Sequence, residues 1–226
     1  MSTALKGPGT AEVHDGSNLR IAIVHARWND RIIHSLVDGA KKALLAAGVA
    51  EGNIVTQSVP GSWELPVAVE TIYTGSVLQA TKAATPCRIP GTATADTLSA
   101  TAPPPTRTSI DTPTSSSPVQ TPASTSASSQ APFDALIAIG VLIKGETMHF
   151  EYIADAVSNG LMRLQIEKSV PVIFGLLTVL TEEQGLVRAG LADGKGSAAH
   201  NHGEDWGRAA VELGVKRRGW AEGRFL

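Results

Sequence analysis

Residues 135–149 read A-L-I-A-I-G-V-L-I-K-G-E-T-M-H, and this stretch decides the fold. Its first five residues form a continuous apolar run, which is typical of a strand buried on both faces of a parallel sheet. The segment that follows has the three- and four-residue spacing of an amphipathic helix in its apolar side chains: Phe150, Ile153, Ala154, Val157, Leu161 and Leu164. The sequence therefore predicts a buried strand, a turn and a helix in succession.

The turn between this strand and this helix has the features of an anion site. Gly145 lacks a Cβ, so a ligand can approach the backbone there, and free N–H groups at a helix start point toward bound anions. His149 lies about one turn into the predicted helix and would sit beside the anion. The alternative is an ordinary turn, with Gly145 at the bend, Thr147 as a cap and His149 in solvent.

Three further segments repeat the pattern of a strand that leads into a helix. Strands are predicted near residues 19–25, 53–59, 135–143 and 171–178. Helices are predicted near 31–47, 64–76, 147–168, 182–190 and 204–216, and Thr181 with Gln184 forms a capping-box pattern for the fourth. This alternation predicts one α/β domain with a parallel sheet, in which ligands bind at the carboxyl ends of the strands.

Five motifs, in this order along the chain, resemble one enzyme family. They are V-H-A-R-W-N-D at 24–30, V-P-G-S-W-E-L-P at 59–66, G-V-L-I-K-G-E-T-M-H-F-E at 140–151, V-I-F-G-L-L-T at 172–178 and N-H-G-E-D-W-G at 201–207. Together they resemble the 6,7-dimethyl-8-ribityllumazine synthases of riboflavin biosynthesis, from about residue 19 to 213. Trp28 and the last motif are similar to the fungal branch. The resemblance implies a flavodoxin-like three-layer αβα sandwich with a central parallel sheet.

The family's activity is implied in the same way. Its members condense 5-amino-6-(D-ribitylamino)uracil with 3,4-dihydroxy-2-butanone 4-phosphate, releasing phosphate and water, without a metal or a redox cofactor. Such a reaction needs an aromatic platform, an anion site and a proton shuttle. Two alternatives stay open at this point: a flavin- or riboflavin-binding module without turnover, and an assembly protein on the same fold.

The resemblance assigns the pyrimidine and ribityl contacts to three strand ends. Trp28 matches the aromatic that stacks on the pyrimidine, although a lone tryptophan is more often a core or rim residue. Glu64 matches the carboxylate that receives ribityl hydroxyls, and it would also suit a helix N-terminus. The remaining matches are Ser62 and Trp63, which line the ribityl pocket, and Val141, Leu142 and Ile143, whose backbone groups contact the pyrimidine edge.

The phosphate and proton-transfer residues are assigned by resemblance too. His149 matches the proton-transfer histidine, and its ordinary pKa suits work near neutrality. Gly145, Glu146 and Thr147 match the phosphate loop. The neighbouring subunit of a homopentamer would supply the remaining residues: Phe174, the phosphate-binding Arg188, and His202 with Asp205 as its ion-pair partner. From the residues alone, Arg188 is a cation that a helix C-terminus would favour.

The segment from Ala84 to Gln130 differs from the rest of the chain in composition. Of its 47 residues 28 are Ser, Thr or Pro, and none is aromatic. Such a segment buries too little apolar surface to offset its ordering entropy, so it is predicted to be a disordered insertion. The predicted organisation is an N-terminal arm at 1–18 and a single domain at 19–226, interrupted at about 84–130.

Charge and cysteine content exclude several classes of protein. A formal net charge of −2 gives no indication of nucleic acid or a membrane surface as partner. The single cysteine, Cys87, allows no disulfide framework, and the spacing within 200–205 is not that of an established metal site. Residues 1–10 lack the apolar segment of a secretion signal. A cytoplasmic protein without cofactor is expected.

Overall fold

The computed structural model describes residues 12–84, 130–191 and 200–225. Within these ranges the strands are β1 (Ile21–Ala26), β2 (Ile54–Val59), β3 (Ala135–Ile143) and β4 (Val172–Val179). The α-helices are α1 (Asp30–Ala46), α2 (Leu65–Ala84), α3 (His149–Lys168), α4 (Glu182–Arg188) and α5 (His202–Ala221). Short 3₁₀ turns at Glu51–Asn53 and Ser62–Glu64 precede β2 and α2.

The four strands form one parallel sheet in the order β2-β1-β3-β4. The chain builds outward from β1 in one direction to β2 and then in the other direction to β3 and β4. The order therefore reverses between β1 and β3, and in open α/β sheets ligands bind at the carboxyl side of this switch point. The predicted flavodoxin-like α/β fold is confirmed.

Helices cover both faces of the sheet, which explains the continuous apolar runs. Alternate side chains of β3 contribute to two separate cores. Ala135, Ile137 and Ile139 pack toward α1 and α5, whereas Leu136 and Ala138 pack toward α2 and α3. Because successive side chains of a strand point to opposite faces, a strand covered on both sides has no position left for a polar residue.

Two glycines of the N-H-G-E-D-W-G motif let α5 approach α1 closely. A Cβ at Gly207 would lie 2.7 Å from the carbonyl oxygen of Ala40, a distance that real side chains do not adopt. Gly203, one turn earlier, contacts the same helix at Leu36. The motif thus has a packing role in addition to any role in the site.

The predicted helix boundaries agree with the structure except at two C-termini. Helix α2 was expected to end near residue 76 but continues to Ala84, because Leu78, Gln79 and Lys82 are good helix formers and no Gly or Pro interrupts them. Ala84 therefore belongs to this helix and not to the insertion. Helix α5 likewise runs to Ala221. The segments 1–11 and 85–129, which carry most of the predicted arm and insertion, lie outside the described residues.

Three charged residues join the amino ends of β1 and β3, and we call them the amino-end network: Arg20, Asp134 and Arg218. The Asp134 carboxylate is buried and accepts the Arg20 backbone N–H at 2.8 Å. It also accepts Nε of Arg218 at 2.6 Å and Nη2 at 2.7 Å. Since Arg218 lies on α5, the network ties the last helix to the sheet.

Candidate active site

A cavity of about 770 Å³ opens at the carboxyl ends of β1 and β3, where the strand order reverses. Its size falls in the range typical of small-molecule sites. The segments that form it follow β1, β2 and β3 and include the first turn of α3. Its lining consists of Trp28, Asn29, Pro60, Gly61, Ser62, Trp63, Glu64, Val141, Leu142, Ile143, Gly145, Thr147, His149, Phe150, Tyr152 and Ile153.

Aromatic side chains dominate the rim of this cavity. Trp28 is 72% exposed and Trp63 57% exposed, so neither is a core tryptophan. Tyr152 and Phe150, on the first turn of α3, also line the cavity. These two residues are not evident as site residues from the sequence, because the spacing of Phe150 fits the buried stripe of an amphipathic helix. Flat apolar walls of this kind suit a planar heterocycle.

Asn29 holds the two sides of the switch point together, and sequence reasoning missed it. Its backbone is left-handed, with φ of 61°, a conformation that asparagine tolerates better than most residues. Its side-chain Nδ2 donates to the carbonyl oxygen of Val141 at 2.9 Å, and its own carbonyl accepts the N–H groups of Ile32 and Ile33. An asparagine between a strand and a helix start was the available signal.

The hydrogen bond from Asn29 also shows which backbone groups of β3 face the cavity. Peptide groups alternate in direction along a strand, so those of Ile143 point the same way as those of Val141, toward the side of β1. The ladder between β1 and β3 ends at the pair His25 and Ile139. Lys144 donates its N–H to Val179 on the opposite side. Ile143 is therefore the residue whose peptide groups are directed past the end of β1.

Glu64 and Ser62 differ in how they face the cavity. Glu64 accepts the Gly61 N–H through Oε2 at 2.9 Å, and its Oε1 has no hydrogen-bond partner among the described residues. One carboxylate oxygen thus caps a helix start, and the other oxygen is available to a ligand. The Ser62 hydroxyl, in contrast, is buried without a partner. A Cβ at Gly140 would lie 2.6 Å from it, so this oxygen is directed into the sheet.

The loop after β3 contributes Gly145, Thr147 and His149 to the cavity, whereas Glu146 is exposed and is not part of the lining. A Cβ at Gly145 would meet no atom within 4 Å in the described structure, and its φ is not positive. Neither packing nor backbone conformation requires glycine there, which leaves close approach of a ligand. His149 begins α3, and its N–H donates to Oγ1 of Thr147 at 3.4 Å.

Four of the predicted site residues lie away from this cavity: Phe174, Arg188, His202 and Asp205. Phe174 is a half-exposed side chain of the edge strand β4. The other three belong to a group that we call the α4–α5 cluster: Arg188, His200, His202, Asp205 and Arg208. Within one chain, then, the structure does not bring the predicted cation of the phosphate site to the predicted phosphate loop.

Charges within the α4–α5 cluster set which of its groups are cationic at neutral pH. Burial lowers the pKa of His202, proximity to His200 and to the charge of Arg188 lowers it further, and the attraction of Asp205 opposes both effects. Burial acts to raise the pKa of Asp205, but hydrogen bonds from His200 at 2.5 Å and Arg208 at 2.7 Å lower it overall. A pKa below that of a free histidine leaves His202 mostly neutral at pH 7, whereas Arg188 and Arg208 carry permanent charges.

A different group of side chains has the spacing of a cation site. One ligand atom from each of Glu12, His14 and Glu212 lies within 4.8 Å of the others. The ammonium group of Lys216 already binds both carboxylates, at 2.8 Å and 2.7 Å. The lysine supplies the positive charge, and the group is separate from the cavity.

In the part of the chain described, no helix has the length and apolar character required to cross a membrane.

Comparison with known proteins points to one enzyme family over nearly the whole chain. The sequence profile of 6,7-dimethyl-8-ribityllumazine synthase matches residues 18–102 and 93–218. A 6,7-dimethyl-8-ribityllumazine synthase from Pyricularia oryzae is 57% identical over 219 residues, covering 97% of this chain and 98% of that protein. One from Schizosaccharomyces pombe is 42% identical over 217 residues, covering 96% and 98%.

A bacterial relative of the same name, from Kineococcus radiotolerans, is 32% identical over 218 residues, covering 96% of this chain and 97% of that protein. The two fungal proteins share more of the sequence than this bacterial one, as expected from Trp28 and the N-H-G-E-D-W-G motif. Profile and relatives extend over nearly the whole chain and carry one name. The chain belongs to the 6,7-dimethyl-8-ribityllumazine synthase family.

Proposed function

We propose that this chain catalyses the condensation of 5-amino-6-(D-ribitylamino)uracil with 3,4-dihydroxy-2-butanone 4-phosphate to 6,7-dimethyl-8-ribityllumazine. The amine adds to the ketone and water leaves to give a Schiff base. Phosphate is then eliminated, and ring closure releases a second water. The observation that carries the proposal is the cavity of a family member, in which Trp28, His149 and the loop at Gly145 meet at the switch point of the sheet.

Each wall of the cavity has a role in this proposal. The indole of Trp28 stacks on the pyrimidine ring, and the peptide groups of Ile143 bind its edge. The free oxygen of Glu64 accepts a ribityl hydroxyl. The hydroxyl of Ser62 is buried, so that residue acts through its backbone. Holding both substrates in one orientation converts a bimolecular condensation into a local one, which contributes much of the rate.

His149 is the proposed proton shuttle. It lies at the start of α3, between the aromatic wall and the loop at Gly145 and Thr147. Schiff-base formation requires a proton to be delivered to the departing hydroxyl, and phosphate elimination requires one to be removed from carbon. A histidine exchanges protons near neutral pH and suits both steps. The N–H groups at 145–147 bind the phosphate, with Glu146 contributing its backbone.

In this proposal the chain forms a homo-oligomer, a pentamer, in which a neighbouring subunit completes each site. The phosphate of the ketone carries up to two negative charges, yet no Lys or Arg occurs among the residues that line the cavity. A neighbouring subunit therefore supplies Arg188, with Phe174 closing the aromatic wall and His202 and Asp205 beside it. A neighbouring subunit could cover the exposed apolar rim around Trp28 and Trp63.

The proposed reaction uses no metal and no redox cofactor, and it involves neither nucleic acid nor a membrane. We place it in the cytoplasm.

The test is the reaction itself. Purified protein is mixed with the two substrates, and lumazine formation is followed by its fluorescence while released phosphate is measured in parallel. Equal amounts of lumazine and phosphate, formed at a rate proportional to protein, support the proposal. A protein that binds lumazine or riboflavin tightly without forming product would be a flavin-binding module. A protein that assembles but neither binds nor reacts would be an assembly protein.

A further inference from the structure

Lys144 and Glu151 stand on either side of the loop that carries Gly145, Thr147 and His149. We propose that their ion pair, which we call the loop clasp, is a positioning device that holds this loop in the conformation that binds phosphate. The inference rests on the proposed function, because it assigns the clasp to the phosphorylated substrate. Neither residue lines the cavity, so both would act through the loop.

The backbone geometry places the clasp at the two fixed ends of the loop. Lys144 directly follows β3, and its N–H donates to the Val179 carbonyl at 2.9 Å, so the sheet fixes its backbone. Its ammonium group pairs with the carboxylate of Glu151 in the first turn of α3. It also lies 5.6 Å from the ring centre of Phe150. The ion pair therefore closes the chain around residues 145–150.

The clasp is more enclosed than an ordinary surface ion pair. The side chains of Lys144 and Glu151 are each 36% exposed, and Oε2 of Glu151 is buried without a hydrogen-bond partner. On the same helix, the pair of Arg163 and Glu167 is 79% and 53% exposed. A partly buried carboxylate that loses its cation is left uncompensated, whereas an exposed one is solvated. The clasp therefore constrains its surroundings more than the exposed pair does.

The loop itself makes few contacts that would fix its shape. Residues 144–149 are exposed, and space around the Cβ position of Gly145 is open. The bond from His149 N–H to Thr147 Oγ1 is long, at 3.4 Å. Peptide groups that must converge on one anion bind it best when they are already in place. Because the loop supplies little order of its own, its ends determine how well it binds phosphate.

A double-mutant cycle tests whether the pair acts as a unit on phosphate binding. The variants are Lys144→Met, Glu151→Gln and the double substitution. In all three the KM for the phosphorylated ketone should rise by about fivefold, the upper end of the effect of an ion pair that is partly exposed. The KM for the pyrimidine and kcat should change by less than about twofold. Partial unfolding would instead lower the apparent kcat and leave both KM values unchanged. The matched control, Arg163→Met with Glu167→Gln, should leave all constants unchanged.

Three kinetic outcomes would overturn the clasp. Effects that add in the double variant would mean that the residues act separately. An unchanged KM in both single variants would remove them from binding. If Glu151→Gln lowered the KM while Lys144→Met raised it, Lys144 would be a direct phosphate ligand.

Hydrogen exchange of residues 145–149, measured without substrate, is the second readout. Exchange should be faster in all three variants and unchanged in the control, and unchanged exchange in the variants would overturn the clasp. This measurement needs no turnover. If wild-type protein formed no lumazine, the proposed function would fail while the exchange experiment still decided whether the pair holds the loop.

Discussion

The two ends of the central sheet both carry polar groups but use them in opposite ways. At the amino end, the buried carboxylate of Asp134 accepts three hydrogen bonds from Arg20 and Arg218, and its charge is fully compensated. At the carboxyl end, the polar side chains face an open cavity. The free oxygen of Glu64 has no partner in the described chain, the Cβ position of Gly145 has no contact, and no Lys or Arg is among the residues that line the cavity.

This difference separates residues that hold the fold from residues that are available to a ligand. Buried polar groups in stable proteins have their hydrogen bonds satisfied within the fold. Where partners are missing at an accessible cavity, the fold gains nothing from the polar group, and a ligand is the remaining explanation. Substitutions at the amino end should therefore change stability without changing catalysis, and substitutions at the carboxyl end should do the reverse.

The largest effect is expected from Asp134→Ala, which breaks the amino-end network. It leaves Arg218 without its carboxylate and the Arg20 N–H without an acceptor. We expect a loss of about 3 kcal/mol in the free energy of unfolding, the lower end for breaking a buried pair because Arg218 is partly exposed. Urea unfolding at fixed protein concentration measures it. The kcat of the folded fraction should equal that of the wild type.

Asp155→Ala is the matched control for Asp134→Ala. Asp155 lies on α3, is exposed, and accepts a hydrogen bond from Nδ2 of Asn159 at 3.1 Å. Its removal should change stability by less than about 0.5 kcal/mol, as for most surface substitutions. If Asp134→Ala unfolded no more easily than this control, the amino-end network would not be a structural device. If its folded fraction lost kcat, the two ends of the sheet would not be independent.

His149→Ala makes the same comparison from the carboxyl end. We expect kcat to fall by about 100-fold, the low end for general acid–base catalysis because proximity contributes much of the rate in a condensation. The midpoint of urea unfolding should stay within error of the wild type, since His149 is exposed. His34→Ala on α1, another exposed histidine outside the cavity, is the control. An unchanged kcat in His149→Ala would remove this residue from the mechanism.

The sequence predicted local features well and long-range pairing poorly. The bounds of β3 were predicted correctly, because a strand buried on both faces is apolar throughout. The end of α2 was missed, since the predicted helix ends near residue 76 whereas good helix formers continue it to Ala84. The partners of Asp134 lie at residues 20 and 218, and no local pattern joins positions so far apart. Likewise, the burial of the Ser62 hydroxyl depends on the close approach of Gly140 on another strand.

Arg188→Ala should affect one substrate much more than the other. A charge-assisted hydrogen bond to phosphate contributes about 2 kcal/mol, so the KM for the phosphorylated ketone should rise by about 30-fold. The KM for the pyrimidine is the internal control and should change by less than about twofold. His202 is no substitute for this cation, because its lowered pKa leaves it mostly neutral at pH 7. Equal losses for both substrates would contradict the proposed role.

Subunit mixing tests whether Arg188 acts across an interface. In this chain Arg188 lies outside the cavity that contains His149, so a shared site needs one residue from each of two subunits. Exchanging Arg188→Ala subunits with His149→Ala subunits should regenerate a minority of sites with both residues intact. Activity above that of either parent is the expected result, with each variant mixed with itself as control. If subunit exchange is verified and no activity returns, the site is not shared in this way.

The smallest effect is expected from shortening the insertion, because its two flanks are fastened at the amino end. One guanidinium group, that of Arg20, donates to the Ala131 carbonyl at 2.5 Å and to Oε1 of Gln79 at 3.0 Å. The Ser76 hydroxyl also accepts the Phe133 N–H at 3.2 Å. The chain before residue 85 and after residue 129 is therefore already held together, at the opposite end of the sheet from the cavity.

Replacing residues 85–129 by a linker of roughly ten Gly and Ser residues should thus leave catalysis unchanged. The flanks are close enough for such a linker, and each halving of loop length lowers the closure cost by about 0.6 kcal/mol, so stability should rise by about 1 kcal/mol. The measurements are kcat/KM for both substrates, the assembly state and the urea midpoint. A shortened protein that assembles normally but loses most of its kcat/KM would show that this segment reaches the cavity, and the separation of the two ends of the sheet would then be wrong.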